Sequence, residues 1–432
     1  MTAAESSRRA ALVARWGAET LVFRAASALV LLHALDDAFL NRQPGVPWDQ
    51  HWLAGLISVV VAAAALVAFP SLRPGLRAAV SFVFGLLATV NGALHVIHIT
   101  KEGPSGSDVT GVLALAAGIV LIALALWIPW RHRGEGVRTG RRRWLNRGIA
   151  LVAGALVLYA FVFPTSLAMI QTHKYREPIG SPPSAEYQTV SFESSDGLAL
   201  SGWYRPSRNG AAVVVVHGGG GDRSGAVAHA ELLARHGFGV LVYDSRGRGE
   251  SEGSPVGFGW GWPKDVAGAL GFLRERSDVD PERIGGLGLS RGADTLIRVA
   301  AADRGLKAVI ADGATGGSFA DYRNLGEEAE GAPFYLAMYT AARVFSGESP
   351  GEPLKDAVAR ISPTPLLLIA TGRSLPAERD FNRIYAEAAR EPFELWELPD
   401  VDHIAAIRQR PDEYERRVVE FFDDALLERS DS

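Results

Sequence analysis

The 432-residue chain contains no cysteine, which excludes disulfides, a thiolate nucleophile and Cys-ligated zinc or iron–sulfur centres together. It also has no basic excess. Lysine and arginine number 44 against 48 acidic residues, a net charge of −4, so no face-wide positive field is available for nucleic acid and none is expected as a partner. Charge is scarce over the first 170 residues, where long stretches carry none, while ordinary globular composition follows. With 48% hydrophobic residues and a mean hydropathy of +0.09, disorder is excluded for most of the chain. The length allows two or three domains of about 150 residues each.

A helix needs ~20 mostly apolar residues to cross the hydrocarbon core of a bilayer. Five stretches meet that requirement: 21–40, 52–69, 78–99, 109–130 and 149–170. They predict an α-helical transmembrane bundle over residues 1–170, with the lipid bilayer as its surroundings. A cleavable signal peptide fits poorly, because the charged start is long and the first apolar stretch carries Arg24, His33, Asp36 and Asp37. Orientation follows from the bias of the short loops. Arg8, Arg9 and Arg15, then Arg73 and Arg77, then Arg131, Arg133, Arg138, Arg141, Arg142, Arg143 and Arg147 place twelve positive charges on one side. The alternate loops hold Arg42 and Lys101. The N-terminus is therefore expected in the cytoplasm and everything after residue 170 outside it.

Polar residues inside these stretches need their own account. Arg24 can snorkel to the interface. His33, Asp36 and Asp37 share one helix face by spacings of three and four, and Asn91, His95 and His98 repeat that spacing in the third stretch. His51 falls at the same level. An interhelical hydrogen-bond network is the simpler reading. A divalent metal held by His33, Asp36, Asp37, His95 and His98 is the alternative.

A polar, proline-containing linker spans 171–186. Beyond it, strand-type apolar runs alternate with helical patterns, which predicts a mainly parallel eight-stranded sheet with helices on both faces. The expected strands are 188–192, 198–204, 212–216, 240–243, 284–288, 308–310, 365–370 and 394–398. The expected helices are 224–236, 263–276, 290–302, 377–389 and 413–427.

The sharpest motif is Gly288-Leu289-Ser290-Arg291-Gly292, G-x-S-x-G between a strand and a helix. In that setting a serine hydroxyl projects from a strained turn at the sheet's carboxyl edge, backed by a helix N-terminus. The run His217-Gly218-Gly219-Gly220-Gly221 follows the strand ending at Val216 and lets backbone approach an anionic intermediate. Gly219 and Arg291 are the expected oxyanion-hole amides. His217 reads as structural rather than as a base. If the order along the chain is serine, acid, histidine, the base must follow Ser290, and His403 alone among the ten histidines does so.

At this point residues 187–428 resemble the α/β-hydrolase superfamily, especially its branch of dienelactone hydrolases, acyl esterases and prolyl-oligopeptidase-type peptidases. Two further stretches carry the likeness: the run from Tyr243 to Ser251, which fits D-x-R-G-x-G-x-S, and Asp278-Val279-Asp280-Pro281-Glu282-Arg283-Ile284 before the serine strand. The resemblance implies an α/β-hydrolase domain over 187–432 and serine hydrolase chemistry, with no cofactor. It also implies an acid shortly after the strand ending at Ala370, yet no aspartate stands at the usual offset. Glu378 is the first choice, Asp380 the second and Asp312 the third. Arg291 departs from the small or apolar residue usual after the serine. It either binds a substrate carboxylate or phosphate or pairs with a neighbouring carboxylate.

About fifty residues, 313–363, stand where such folds carry a cap. Their aromatics, including Tyr322, Phe334, Tyr335 and Tyr339, are expected to line substrate under a helical lid. The combined expectation is a membrane-anchored serine hydrolase acting on carboxylic esters of a small or lipophilic acyl substrate, with thioesters or amides less favoured. A serine peptidase of the same fold and a non-catalytic membrane receptor or scaffold are the alternatives.

Overall fold

The computed structural model describes residues 3–132, 140–173, 176, 178–326 and 331–427, with side chains for all of these except 3–16, 140–143 and 146. Of the loop arginines counted above, Arg8, Arg9, Arg15, Arg133, Arg138, Arg141, Arg142 and Arg143 lie outside the described side chains. The chain divides into two compact units. One comprises Met1–Arg42, Pro47–His173 and Pro333–Gly347; the other comprises Gln43–Val46, Lys174–Ala332 and Glu348–Ser432.

The first unit is helical. Helix α1 (Ala3–Leu35) runs on through a π-helical turn at Asp36–Leu40 and is followed by α2 (Trp52–Ala68), α3 (Pro74–Glu102) and α4 (Asp108–Arg131). Helix α5 (Gly140–Val157) continues through a second π-helical turn, Leu158–Val162, into α6 (Phe163–Thr172). Five helical stretches are long and apolar enough to cross a membrane: Gly17–Leu40, Trp52–Ser71, Pro74–Glu102, Asp108–Arg131 and Arg147–Thr172. The third starts earlier than its apolar run because Pro74 occupies the first helical turn, where a missing N–H costs nothing. Two of the arginines counted as loop charges are not free in a loop. Glu19 is fully buried and pairs with Arg77 at 3.3 Å and Arg131 at 3.1 Å, and Arg77 also donates to the Phe69 carbonyl at 3.1 Å. An acid on the first helix thus draws both cations inside, a pairing too distant in sequence to be read from local pattern.

The second unit holds one sheet built from β1 (Gln188–Glu193), β2 (Ala199–Arg205), β3 (Ala212–Val216), β4 (Gly239–Tyr243), β5 (Ile284–Leu289), β6 (Val309–Asp312), β7 (Leu366–Thr371) and β8 (Phe393–Leu398). The order is β1-β2-β4-β3-β5-β6-β7-β8, antiparallel where β2 meets β1 and β4 and parallel elsewhere. The valine run of β3 is buried throughout, as a strand covered on both faces requires. Val214 and Val216 enter one apolar cluster and Val213 and Val215 the other.

The helices of the remaining chain are α7 (Val227–Arg235), α8 (Trp262–Arg274), α9 (Arg291–Ala302), α10 (Phe319–Arg323), α11 (Ala332–Ser346), α12 (Leu354–Val358), α13 (Ala377–Ala388), α14 (Ala406–Gln409) and α15 (Pro411–Leu426). Helices α8, α9, α12 and α13 share the first cluster, and α7, α14 and α15 the second. The chain reverses direction across the sheet at β3, with β4 on one side and β5 on the other. The loops after β3 and β5 therefore open side by side at the carboxyl edge, where α/β sheets place their sites.

The segment 313–363 differs from a single lid. Helices α10 and α12 belong to the α/β unit, whereas Pro333–Gly347 belongs to the helical unit. There Phe334 packs on Tyr159 with ring centroids 5.7 Å apart, Phe345 meets His173 at 6.2 Å, and Gln50 donates to the Ser346 carbonyl at 2.9 Å. The aromatic residues of α11 find ring partners in the π-helical turn between α5 and α6 and just after α6, which local spacing could not reveal.

Candidate active site

Strand β5 delivers Ser290 into a turn with φ 54° and ψ −114°, a strained conformation for any residue with a Cβ. The following helix can start at once only because Gly292 lacks a side chain: a Cβ there would lie 2.2 Å from the Val216 carbonyl oxygen. The Ser290 N–H donates to the Asp312 carbonyl at 2.7 Å and pins the turn to β6.

His403 comes from the loop after β8. That loop is tied to the end of β7 by N–H donation from Arg373 to the Val401 carbonyl at 3.0 Å, and the His403 N–H reaches Ser374 Oγ at 2.8 Å. The Ser290 hydroxyl donates to His403 Nε2 at 2.9 Å, and His403 Nδ1–H donates to Glu378 Oε2 at 2.6 Å. Glu378, fully buried at the start of α13, is itself held by the Thr371 N–H at 2.6 Å and the Thr371 hydroxyl at 2.8 Å. These bonds fix the tautomer, leaving Nε2 free of a proton and able to take one from the serine.

The other two acid candidates stand elsewhere. Asp380 lies two residues along α13 from Glu378, a spacing that turns it away from the His403 side. Asp312 is fully buried, accepts from the Tyr414 hydroxyl at 3.0 Å, and is pushed up to about 7 by burial, with the Glu378 charge adding to the rise.

The glycine loop lies against the serine, since a Cβ on Gly218 would come 3.5 Å from Ser290 Cβ. Gly219 has no room for one, with the Gly257 carbonyl oxygen only 2.5 Å from where it would stand. His217 is buried and lowered to about 4 by that burial; its Nε2 accepts from the Ser245 N–H at 3.0 Å, so Nδ1–H donates to the Gly218 carbonyl at 2.8 Å. The Arg291 side chain pairs with Asp294 at 2.7 Å and donates to the Gly316 carbonyl. Of its two expected roles, the structure gives it the ion pair with a neighbouring carboxylate. Asp294 also accepts from the Thr315 N–H at 3.0 Å.

Sequence reasoning missed Thr371, Asp294 and Arg248. A threonine closing β7 beside the acid was a readable signal for the first.

Of the expected substrate contacts, Tyr322 lies on α10 in the α/β unit, while Phe334, Tyr335 and Tyr339 lie on α11 in the helical unit. The metal candidates do not converge. Among the described residues no group of three or more His, Asp or Glu side chains could hold a metal ion. Instead His33 Nδ1–H donates to Thr110 at 3.1 Å, the Thr110 hydroxyl to Asp36 at 2.5 Å, and Asn91 to His33 Nε2 at 3.0 Å. His95 and His98 each donate to Asp108 at 3.0 Å, and Asp37 pairs with His173 at 3.3 Å. Asp108, just outside the spacing pattern, is the partner that the pattern lacked.

Residues 176–391, half of the chain, match the family model described as X-Pro dipeptidyl-peptidase (S15 family). YfhR of Escherichia coli strain K12, an uncharacterized protein, is 32% identical over 261 residues, spanning 58% of this chain and 85% of its own length. The thiohydrolase AneE of Aspergillus aculeatus is 35% identical over 135 residues, 29% of this chain and 40% of that protein. An esterase structure from Pyrococcus furiosus, 24% identical with a TM-score of 0.47, covers 58% of this chain and 98% of its own. The C-terminal segment is an α/β-hydrolase, and the chain belongs through it to the S15 family. Its relatives are of peptidase and esterase type.

Proposed function

We propose that the protein is a membrane-anchored serine hydrolase that cleaves carboxylic esters of a small or lipophilic acyl substrate. The observation that carries this reading is the unbroken line from Glu378 through His403 to Ser290 on a strained turn. His403 takes the hydroxyl proton as Ser290 Oγ attacks the carbonyl carbon, and Glu378 steadies the imidazolium. The main-chain amides of Gly219 and Arg291 receive the oxyanion. Collapse expels the alcohol, which leaves with the proton from His403. Water, deprotonated by the same ring, then attacks the acyl-enzyme; the acid departs and Ser290 regains its proton.

The description of the matched family favours a second reading, cleavage of X-Pro peptides. The carboxylates beside the serine speak for the ester. Asp294 is engaged by Arg291 and Thr315, Asp312 is fully buried and engaged by Tyr414, and Glu378 is engaged by Thr371 and His403, so none of these three is available to bind a substrate's amino group. The five apolar stretches support the anchor, and the arginine bias of their loops supports a cytoplasmic N-terminus with the hydrolase unit outside.

The test uses the full chain. A membrane-impermeant fluorophosphonate should label intact cells, and Ser290→Ala should abolish both label and turnover. Persisting label on Ser290→Ala would sink the nucleophile, and label only after lysis would reverse the orientation. A panel of acyl esters and X-Pro anilides decides between the readings: faster turnover of the anilides would make the protein a peptidase.

A further inference from the structure

The loop at residues 244–251 carries an arginine, Arg248, at a position that the D-x-R-G-x-G-x-S pattern leaves open. Its side chain is 4% exposed, and Nη2 donates to the Gly219 carbonyl at 2.7 Å. Among the described residues it is in no ion-pair contact, and its Nε is buried with no hydrogen-bond partner. A buried guanidinium without a carboxylate in contact is costly, and burial lowers it to about 10 against the opposing pull of the Asp222 charge. The other arginine of the loop, Arg246, is by contrast matched to Asp196 and Asp265, each at 2.7 Å. Structural pairing therefore accounts for Arg246 and not for Arg248.

The bond that Arg248 does make falls on a peptide whose direction matters. In a trans peptide the carbonyl of one residue and the N–H of the next point to opposite sides. His217 holds the Gly218 carbonyl, which fixes the Gly219 N–H on the other side. Arg248 holds the Gly219 carbonyl, which does the same for the Gly220 N–H. Four successive glycines have little intrinsic resistance to peptide rotation, so the loop needs such grips from outside. Both come from the 244–251 loop, Arg248 directly and Ser245 through His217.

We infer that Arg248 is a positioning residue for the oxyanion hole: by gripping the Gly219 carbonyl it fixes the peptide after Gly219, while His217 fixes the peptide before it, so that the two grips together hold the Gly219 amide in place. The inference rests on reading Ser290 as the nucleophile. The Arg248 charge, in ion-pair contact with no carboxylate among the described residues, adds a positive potential behind the loop that carries the Gly219 amide.

The experiment compares wild type, Arg248→Met and Arg248→Lys as full-length protein in detergent, using p-nitrophenyl butyrate and an aryl boronic acid that mimics the tetrahedral state. Arg248→Met should lower kcat by about 10- to 100-fold with KM changed by less than about 3-fold, and weaken the boronate by a similar factor. Arg248→Lys, which keeps the charge but not the planar fork, should fall between. Added guanidinium should restore part of the loss in Arg248→Met. A folded Arg248→Met with wild-type kcat and boronate affinity overturns the inference. Should Arg248→Met fail to fold, wild-type kcat in Arg248→Lys overturns it, as does unfolding of both variants, which would assign Arg248 to the core. An inert, unlabelled wild type overturns the Ser290 reading itself, an outcome distinct from all of these.

Discussion

Each of the two units sets histidine against a buried carboxylate, yet only one of them looks like a reaction centre. In the helical unit His95 and His98 both donate to Asp108 at 3.0 Å. In the α/β unit His403 donates to Glu378 at 2.6 Å. The difference lies at the opposite ring nitrogen. His403 Nε2 faces a hydroxyl on a strained turn, with a glycine loop beside it. His33, the helical unit's most enclosed ring, spends both nitrogens on neutral groups, Thr110 and Asn91. A His–carboxylate pair alone is scaffolding; what sets the second pair apart is the hydroxyl on a strained turn at its free ring nitrogen, with a glycine loop beside it.

The sharpest way to break this comparison is to damage the pair in the α/β unit. Glu378→Gln should lower kcat by about 10³- to 10⁴-fold, since the ring then lacks its tautomer control, while Asp380→Asn should stay within about 3-fold. The reverse pattern in steady-state kinetics would move the acid to Asp380.

Asp312 gives a smaller effect, read in stability. Burial keeps its carboxyl protonated up to about 7, whereas the unfolded chain ionises it near the ordinary 3.8. Below about pH 4 both states hold the proton and the group costs nothing; as pH rises to 7 only the unfolded state releases it, so stability falls by up to about 4 kcal/mol and then levels off. Asp312→Asn should remove that slope, raising the melting temperature over wild type more at pH 8 than at pH 4.5, with turnover within about 3-fold. An equal offset at both pH values would show that Asp312 is ionised in the folded protein.

The smallest effect belongs to the helical unit. His95→Ala deletes one donor to a buried carboxylate and should cost about 1–2 kcal/mol, seen as a lower melting temperature in detergent. Ester turnover should be unchanged. A proportionate loss of turnover would mean that the two His–carboxylate systems are not independent.

What the sequence disclosed follows the range of the interactions involved. The serine turn was legible because a strand, two glycines and a helix are contiguous, and His403 because no other histidine follows Ser290. The strand pattern was legible because buried parallel strands are unbroken apolar runs, as in β3. Glu378 was harder, because what distinguishes it from Asp380 is the Thr371 pocket and its facing of His403, set by how α13 packs on β7. Arg248 on Gly219, Glu19 between Arg77 and Arg131, and the attachment of α11 were not legible at all. Each joins residues tens to hundreds of positions apart, and nothing in their local spacing marks the partner.

The exchange of segments between the units sets the order in which the protein can be completed. Gln43–Val46 are made early but belong to the α/β unit, where the Pro44 carbonyl accepts from the Gly253 N–H at 2.8 Å. Pro333–Gly347 are made late but belong to the helical unit. During synthesis the helical unit therefore waits for a piece that emerges only after six of the eight strands, with the serine turn among them, have already left the ribosome. Cutting the gene at the linker would give two fragments, each missing a part carried by the other. The two halves are thus a single unit of biogenesis, and of inheritance, although their compositions could hardly differ more.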